Sequence, residues 1–372
     1  MPVSIKLYLK LHSYLNKRCI NFSRMKLKPI ITVLFFMFCA VTVFAQQRPY
    51  YTQYILNNFI INPAIAGIEN YTDIKLSHRQ QWVGLDGAPV TTYLTIHAPL
   101  KKSNYARQNA TTLRPQGENP RGTNFMEDYQ STDPHHGVGL TILNDKTGPL
   151  NRFAFYGSYA YHLPLNERTS ISAGLSLGIQ NMSLKTAGLN FGAAYPVDPV
   201  VANSAYINTI KPDISLGVWV YNAQWFAGIA AQQIVPQKLG FNGGKLGGDS
   251  LTVIAGKLVP HLFLQAGYKF LLSDDVSFLP SITAKYVNPV PLSVDINAKL
   301  QYRDFLWVGA SLRPKDGYAA MVGLNVNSSF NIGYSYDFTT SLLNTVSKGT
   351  HEILIGFLLN NNYGDWCPRN VW

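Results

Sequence analysis

The strict alternation of side-chain character between Pro291 and Arg303 constrains the fold of this chain more than any other feature. The residues on one face are apolar: Leu292, Val294, Ile296, Ala298, Leu300 and Tyr302. The residues on the other face are polar: Ser293, Asp295, Asn297, Lys299 and Gln301. Residues Thr169–Asn181 alternate in the same way. A period of two is typical of a β-strand with different surroundings on its two faces.

Similar segments follow one another from Thr72 to the C-terminal region, with turn residues between them. They predict about 14 strands, centred on Leu76, Leu94, Leu140, Tyr156, Leu175, Val218, Ile229, Leu264, Ile282, Ile296, Val308, Val322, Ile332 and Ile355. No helical pattern separates them, so an α/β fold is not expected. The sequence therefore predicts an all-β protein.

The polar strand faces distinguish a transmembrane barrel from a soluble sandwich. Lys285, Asp295 and Lys299 lie on these faces, where a filled sandwich core would have to bury their charges. An antiparallel barrel places such residues towards a wet lumen and the apolar face towards lipid. The charges then either line a selective pore or pair with one another. Aromatic residues near strand ends fit interfacial girdles: Trp82, Tyr159, Tyr161, Trp225, Tyr268, Tyr286, Tyr302, Trp307, Tyr334 and Tyr336.

The predicted connections alternate in length, as expected for short periplasmic turns and longer external loops. The short ones are Leu165–Arg168, Asn222–Gln224, Arg303–Asp304 and Asn327–Ser328. The long ones are Leu184–Pro212, Pro236–Lys257 and Thr339–Thr350. Residues 99–136 break this rule, because a long polar insertion stands where a periplasmic turn is expected. It is either a disordered insertion or a periplasmic docking element.

The N-terminal region reads as a signal peptide, residues 1–45, with Met25 as a possible true start. Lys26 and Lys28 precede an apolar run that is too short to span a membrane as a helix. Residues 1–45 contain seven of the 31 basic residues and no acidic one, leaving 24 basic against 20 acidic residues. The basic character therefore does not indicate nucleic-acid binding. Only Cys367 remains in the predicted mature chain, so a disulfide or cysteine metal site is not expected.

Residues 46–71 contain the sequence NNFIINPAIAG, which is too apolar for a free tail. Pro63 favours an extended Asn62, and Gly67 permits a sharp bend. We expect this N-terminal segment to fold into the periplasmic mouth or the lumen as a plug. Small lumenal residues at Gly174, Gly178, Gly217 and Gly323 would leave room for it. Arg79 would anchor it by donating to its carbonyl groups.

Two motifs make this chain recognisable. The first is formed by Gln53, Tyr54, Asn57, Asn62, Pro63, Ala64 and Gly67. The second, on and after the first strand, is formed by Arg79, Gln81, Trp82, Gly84, Gly87, Ala88 and Pro89. With NDKTGP at residues 144–149 and HEI at residues 351–353, these motifs resemble the PorP/SprF family of outer-membrane proteins.

The resemblance implies a non-enzymatic outer-membrane component of type IX secretion and gliding machinery, without a cofactor. In the SprF-like branch, which residues 365–369 and the size of the insertion favour, the implied partners are a secreted adhesin, through its C-terminal sorting domain, and periplasmic machinery. The alternatives are a PorP-type subunit tied to a periplasmic peptidoglycan-binding lipoprotein, or a general diffusion porin. Membrane lipid is expected to surround residues 72–360, and no nucleic-acid partner is expected.

Two short motifs suggest chemistry but have simpler explanations. Gly174–Gly178 matches G-x-S-x-G, yet its serine lies mid-strand rather than on a strand-to-helix turn. His135–His136 has no neighbouring ligand spacing and reads as a polar strand entry. Neither motif predicts an enzyme or a metal centre.

Overall fold

The computed structural model describes most of the predicted barrel and part of the region before it. The described residues are 51–100, 126, 129–185, 206–235, 237–239, 256–314, 316–327, 329–340 and 342–361. The predicted signal peptide, Met25, most of the insertion and residues 362–372 lie outside them.

In the described residues, fourteen antiparallel strands form one closed sheet, which confirms the predicted fold class and strand number, and each predicted centre lies within one of these strands. The strands are β1 (Thr72–Gln80), β2 (Val90–Leu100), β3 (His135–Thr147), β4 (Leu150–Pro164), β5 (Ser170–Lys185), β6 (Tyr206–Tyr221), β7 (Trp225–Gln232), β8 (His261–Tyr268), β9 (Val276–Val287), β10 (Val290–Tyr302), β11 (Leu306–Arg313), β12 (Gly317–Asn327), β13 (Phe330–Thr339) and β14 (Thr350–Leu359). Each strand pairs with its sequence neighbours, and β1 pairs with β14 to close the barrel.

Short strands and 3-10 turns accompany the fourteen strands. Phe270–Leu271 continues the pairing of β8 with β9, and Gln237–Leu239 pairs with Gly256–Leu258 between β7 and β8. Three 3-10 turns, Gln53–Ile55, Asn58–Ile60 and Pro63–Ile65, precede β1, and a fourth, Leu342–Thr345, follows β13. No helix in the described parts of the chain is long and apolar enough to cross a membrane.

We call the end of the barrel where β1 begins the entry end and the opposite end the far end. The predicted alternation of connection lengths holds only in part. At the far end, β3 and β4 are joined by residues 148–149, and β9 and β10 by residues 288–289. Strands also extend further than their alternation indicated, because polar residues at their ends hide the pattern. Thus β5 and β6 leave only residues 186–205 between them, and β2 and β3 leave 101–134.

The two faces of the strands differ as the alternation predicts. On β10, Leu292 and Ile296 are 59% and 48% exposed, whereas Asp295 and Lys299 are buried inside. One predicted girdle residue is misplaced: Trp307 points into the lumen and is buried, with the Lys299 ammonium 5.2 Å from its ring centre. The alternation of β11 accounts for this placement, because Ser311 and Arg313 are also odd-numbered and also face inward.

Candidate functional site in the barrel lumen

Residues 51–71 lie inside the barrel and form its apolar core. Tyr54, Phe59, Ile65 and Ile68 are buried, and the cluster around Phe59 includes Trp219 of β6. We call residues 51–71 the lumenal segment. A barrel of this size has a lumen that its own wall side chains do not fill, so the segment supplies the missing packing.

The segment begins at the far end in a cage of charges. The cage consists of Thr52, Arg79, Arg313, Asp337 and Glu352, which we call the Thr52 cage. The Thr52 hydroxyl accepts hydrogen bonds from Arg79 Nη1 at 2.9 Å and Arg313 Nη2 at 2.8 Å, and it donates to Asp337 Oδ2 at 2.7 Å. The Thr52 amide donates to Glu352 Oε2 at 2.7 Å. The hydroxyl therefore uses its donor and both of its acceptor sites.

The cage charges also pair directly with one another. Arg79 lies 2.7 Å from Asp337 and 3.0 Å from Glu352, and Arg313 lies 3.0 Å from Asp337. Two cations thus face two anions, and all four side chains are buried. Buried charges are tolerated only when they are paired and hydrogen-bonded, so the cage depends on every member. Arg79 was expected to contact carbonyl groups of the segment; it contacts the Thr52 hydroxyl instead.

Below the cage, polar side chains of the lumenal segment form hydrogen bonds with polar side chains of the wall. Asn57 Nδ2 donates to Thr95 Oγ1 at 2.8 Å, and Gln265 Nε2 donates to Asn58 Oδ1 at 2.7 Å. Asn297 Nδ2 donates to the Tyr54 hydroxyl at 2.6 Å. Gln53 is fully buried against Gly333 of β13. These contacts reach strands on several sides of the barrel, so the segment is held around its circumference.

Asn62, Pro63 and Ala64 fix the segment against β5, β6 and β7. Asn62 Oδ1 accepts from the Ala64 amide at 3.0 Å, which caps the 3-10 turn that starts at Pro63. Asn62 Nδ2 donates to the carbonyls of Val218 and Ile229, which are opposite each other on β6 and β7. A single side chain therefore organises its own turn and contacts two wall strands.

Glycines in the wall allow this close approach. A Cβ atom at Gly174 would overlap the backbone of Pro63 and Ala64, and one at Gly217 would overlap the Asn62 side chain. The other two glycines expected to receive the segment lie elsewhere. Gly178 faces the Tyr156 ring and Gly323 faces the Trp307 ring, because aromatic side chains of the wall lie over both.

The substitution Gly174→Val is expected to destabilise the barrel by about 1–3 kcal/mol, because the new side chain overlaps the backbone of the lumenal segment. Gly157→Val is the matched control, since Gly157 lies on the neighbouring strand with open space around it. Its effect should stay within about 0.5 kcal/mol. Unfolding in denaturant measures both variants, and equal shifts would contradict this placement of the segment.

At the entry end three buried histidines surround the turn at Gly67, which has a φ of 74°. His162 Nε2 donates to the Ala66 carbonyl at 2.8 Å, and His135 Nε2 donates to the Gly67 carbonyl at 3.2 Å. The Gly67 amide donates to His97 Nδ1 at 3.4 Å. The rings of His135 and His162 stack with centroids 4.4 Å apart. The lumenal segment therefore runs from the far end at Thr52 to the entry end at Gly67.

The second motif forms an ordered loop at the far end. Trp82, Gly84 and Gly87 have positive φ angles of 52°, 99° and 73°. The Val83 amide donates to the Gly349 carbonyl and the Lys348 amide donates back to Val83, which ties this loop to the one before β14. The Gln81 amide donates to the Pro89 carbonyl at 2.9 Å, and Ala88 closes a turn on Leu85. The described geometry gives these motif residues a structural role in shaping the loop.

A family model described as type IX secretion system membrane protein PorP/SprF matches residues 43–357. The chain belongs to the PorP/SprF family. This PorP/SprF protein is accordingly an outer-membrane β-barrel of the type IX secretion system. Family and fold are of a non-enzymatic kind. No curated protein matches the chain significantly.

Solved structures of outer-membrane barrels resemble the PorP/SprF chain at low identity. A Pseudomonas aeruginosa FadL homologue shares 10% identity and a TM-score of 0.44, over 81% of this chain and 93% of that one. The Acinetobacter baumannii protein Omp33 shares 9% identity and a TM-score of 0.42, over 79% and 100%. The Pseudomonas putida toluene transporter TodX shares 9% identity and a TM-score of 0.41, over 84% and 95%. These values are too low to transfer a function.

Arg79 is the second-motif residue that contacts the lumenal segment, and it does so at Thr52, which precedes the first motif. Gln53, Tyr54, Asn57, Asn62, Pro63, Ala64 and Gly67 all lie in the lumen, and Gln81 to Pro89 lie outside it at the far end. Sequence reasoning missed Arg313, Asp337 and Glu352, although each occupies an inward position of a predicted strand. It also missed His97 and His162, and it treated His135 as a strand entry.

Proposed function

We propose that this protein is a filled outer-membrane scaffold of type IX secretion that holds a secreted surface adhesin and engages periplasmic machinery. The lumenal segment carries this proposal. It crosses the lumen from the Thr52 cage to the histidines at Gly67, which favours a binding role over a diffusion pore. Residues 51–71 then serve as the plug, and residues 72–360 as the barrel.

The two ends of the barrel offer different surfaces. If β1 begins in the periplasm, as in bacterial barrels, the far end faces outward. The connections after β5, β7 and β13 lie at that end, where they rise from fixed strands and suit recognition of an adhesin's C-terminal domain. The connection between β2 and β3 lies at the entry end, where it suits a periplasmic partner. The resemblance of residues 365–369 to SprF-type sequences is the reason for proposing the SprF-like branch of the family.

Affinity purification from native membranes, followed by mass spectrometry, tests the proposal. The full chain should co-purify type IX secretion components and one or more secreted proteins with C-terminal sorting domains. Recovery of neither class from a folded barrel would overturn it.

Deletion of residues 101–128 should separate the two kinds of partner. The deletion leaves β2 and β3 intact, so the barrel should still insert and keep its secreted partner while losing a periplasmic one. Deletion of residues 187–204, at the opposite end, is the control and should retain the periplasmic partner. If both deletion variants co-purify the same periplasmic proteins as the full chain, residues 101–128 have no docking role.

A further inference from the structure

On the outer face of β1, β2 and β3, side chains that are cross-strand partners form rows, and these rows change from apolar to polar towards the far end. Cross-strand register aligns Gln80 with Val90 and Lys146 in the outermost row. The next row is entirely polar and comprises His78, Thr92 and Asn144. Further rows are apolar, beginning with Leu76, Leu94 and Ile142. Such a boundary is typical of the level at which a barrel wall leaves the hydrocarbon layer.

A groove of about 340 Å³ opens beyond this boundary, at the outermost row of the far end. Its floor is the outermost row, and its wall is the ordered loop that follows β1, including Val83, Leu85 and Ala88. Alternation places Gln80 and Lys146 on the outer face, because their neighbours Arg79 and Asp145 point inward. The groove therefore faces the surrounding membrane rather than the lumen.

The lining of the groove combines one cation with neutral polar and apolar groups. Lys146 is exposed beside the Gln80 and Gln81 amides, while Val83, Leu85 and Val90 provide apolar contact. Lys348 is exposed and its stem lies beside Gly84 on the other side of the loop. Asp86 is the acidic residue of this loop and does not line the groove. A lysine ammonium at this position favours an anionic headgroup, and the apolar wall favours attached acyl chains.

We infer that this groove binds a phosphorylated glycolipid of the outer leaflet, with Lys146 contacting the phosphate. The inference rests on the proposed orientation, in which the far end faces outward. The rows below the groove support a lipid rather than a protein, because acyl chains attached to the headgroup would continue along Leu76 and Leu94. The ordered loop presents its backbone at Gly84 and Gly87, where bulky side chains would narrow the groove.

Native mass spectrometry of the full barrel in detergent tests this site. The probes are bisphosphorylated lipid A, its dephosphorylated form and phosphatidylglycerol. The wild-type protein should retain bisphosphorylated lipid A best, and Lys146→Gln should weaken its binding about fivefold. Lys146→Arg should bind as wild type. Lys185→Gln is the matched control, since Lys185 is exposed at the same end on β5 and outside the groove.

Three outcomes would overturn the inference. Equal lipid A binding by the Lys146→Gln and Lys185→Gln variants would mean that Lys146 does not contact the lipid. Equal binding of phosphorylated and dephosphorylated lipid A would remove the phosphate contact. Preference for phosphatidylglycerol would overturn the outer-leaflet source. Heat-dependent gel mobility must show that each variant is folded. The Lys146→Gln variant should still co-purify the protein partners of the full chain. Because lipid binding and partner recovery are measured separately, failure of this inference is distinguishable from failure of the proposed function.

Discussion

Replacing Arg79 with alanine is expected to destabilise the barrel by about 3–5 kcal/mol, the usual cost of removing one partner from a buried charge network. Asp337 would keep Arg313, but Glu352, which is fully buried, would lose its arginine. Thr52 would lose one of its two guanidinium donors. The variant should therefore unfold at lower denaturant concentration, and a protease should cut its lumenal segment before the strands.

The matched control is Arg303→Ala. Arg303 pairs with Asp275 at 3.1 Å in a turn at the entry end, where both side chains are exposed. Exposed ion pairs contribute little to stability, so this variant should unfold like the wild type. Similar losses in the two variants would mean that the Thr52 cage does not hold the segment.

Removal of residues 52–66 is expected to turn a closed barrel into a conducting one. The deletion keeps Gly67 to Tyr71 as the lead into β1 and removes the buried Phe59 and Ile65 from the lumen. Eight strands are filled by their own side chains and 16–18 strands leave a water channel, so an emptied 14-stranded lumen should pass ions. Planar-bilayer recordings should show steady currents from the deletion variant and only background from the full chain.

Gly157→Val in the full chain provides the control for this experiment, because it alters the barrel wall without touching the segment. Heat-dependent gel mobility must show that the deletion variant is folded before its currents are compared. A folded deletion variant that stays silent would mean that wall residues alone close the lumen. Steady currents from the full chain would favour the diffusion-porin alternative.

The sequence was sufficient for the strands because alternation is a local signal. Every residue from Leu292 to Tyr302 reports which face of β10 it occupies, and the predicted strand centres needed nothing more. The Thr52 cage has no such signal. Arg79, Arg313, Asp337 and Glu352 lie on β1, β11, β13 and β14, and only the closure of the sheet brings them together.

The path of the lumenal segment was equally beyond local reasoning. Pro63 indicated an extended residue and Gly67 a bend, but neither residue determines whether the chain stops at the entry end or crosses the lumen. The path of the segment depends on where along the barrel axis its hydrogen-bonding partners in the wall lie. Glu352 lies near the far end and His162 near the entry end. The lengths of β5 and β6 were also underestimated from the sequence, because polar residues at the ends of these strands interrupt the alternation.

The course of the lumenal segment also restricts the order in which this molecule can be assembled. The segment continues directly into β1, and β1 is the strand that meets β14 at the seam. If β1 and β14 paired first, the chain before Thr72 would have to pass from the entry end towards the far end through a barrel that was already closed. Docking the segment against the curling sheet while the seam is still open avoids that step. The last strand pairing to form would then also be the one that traps the segment inside.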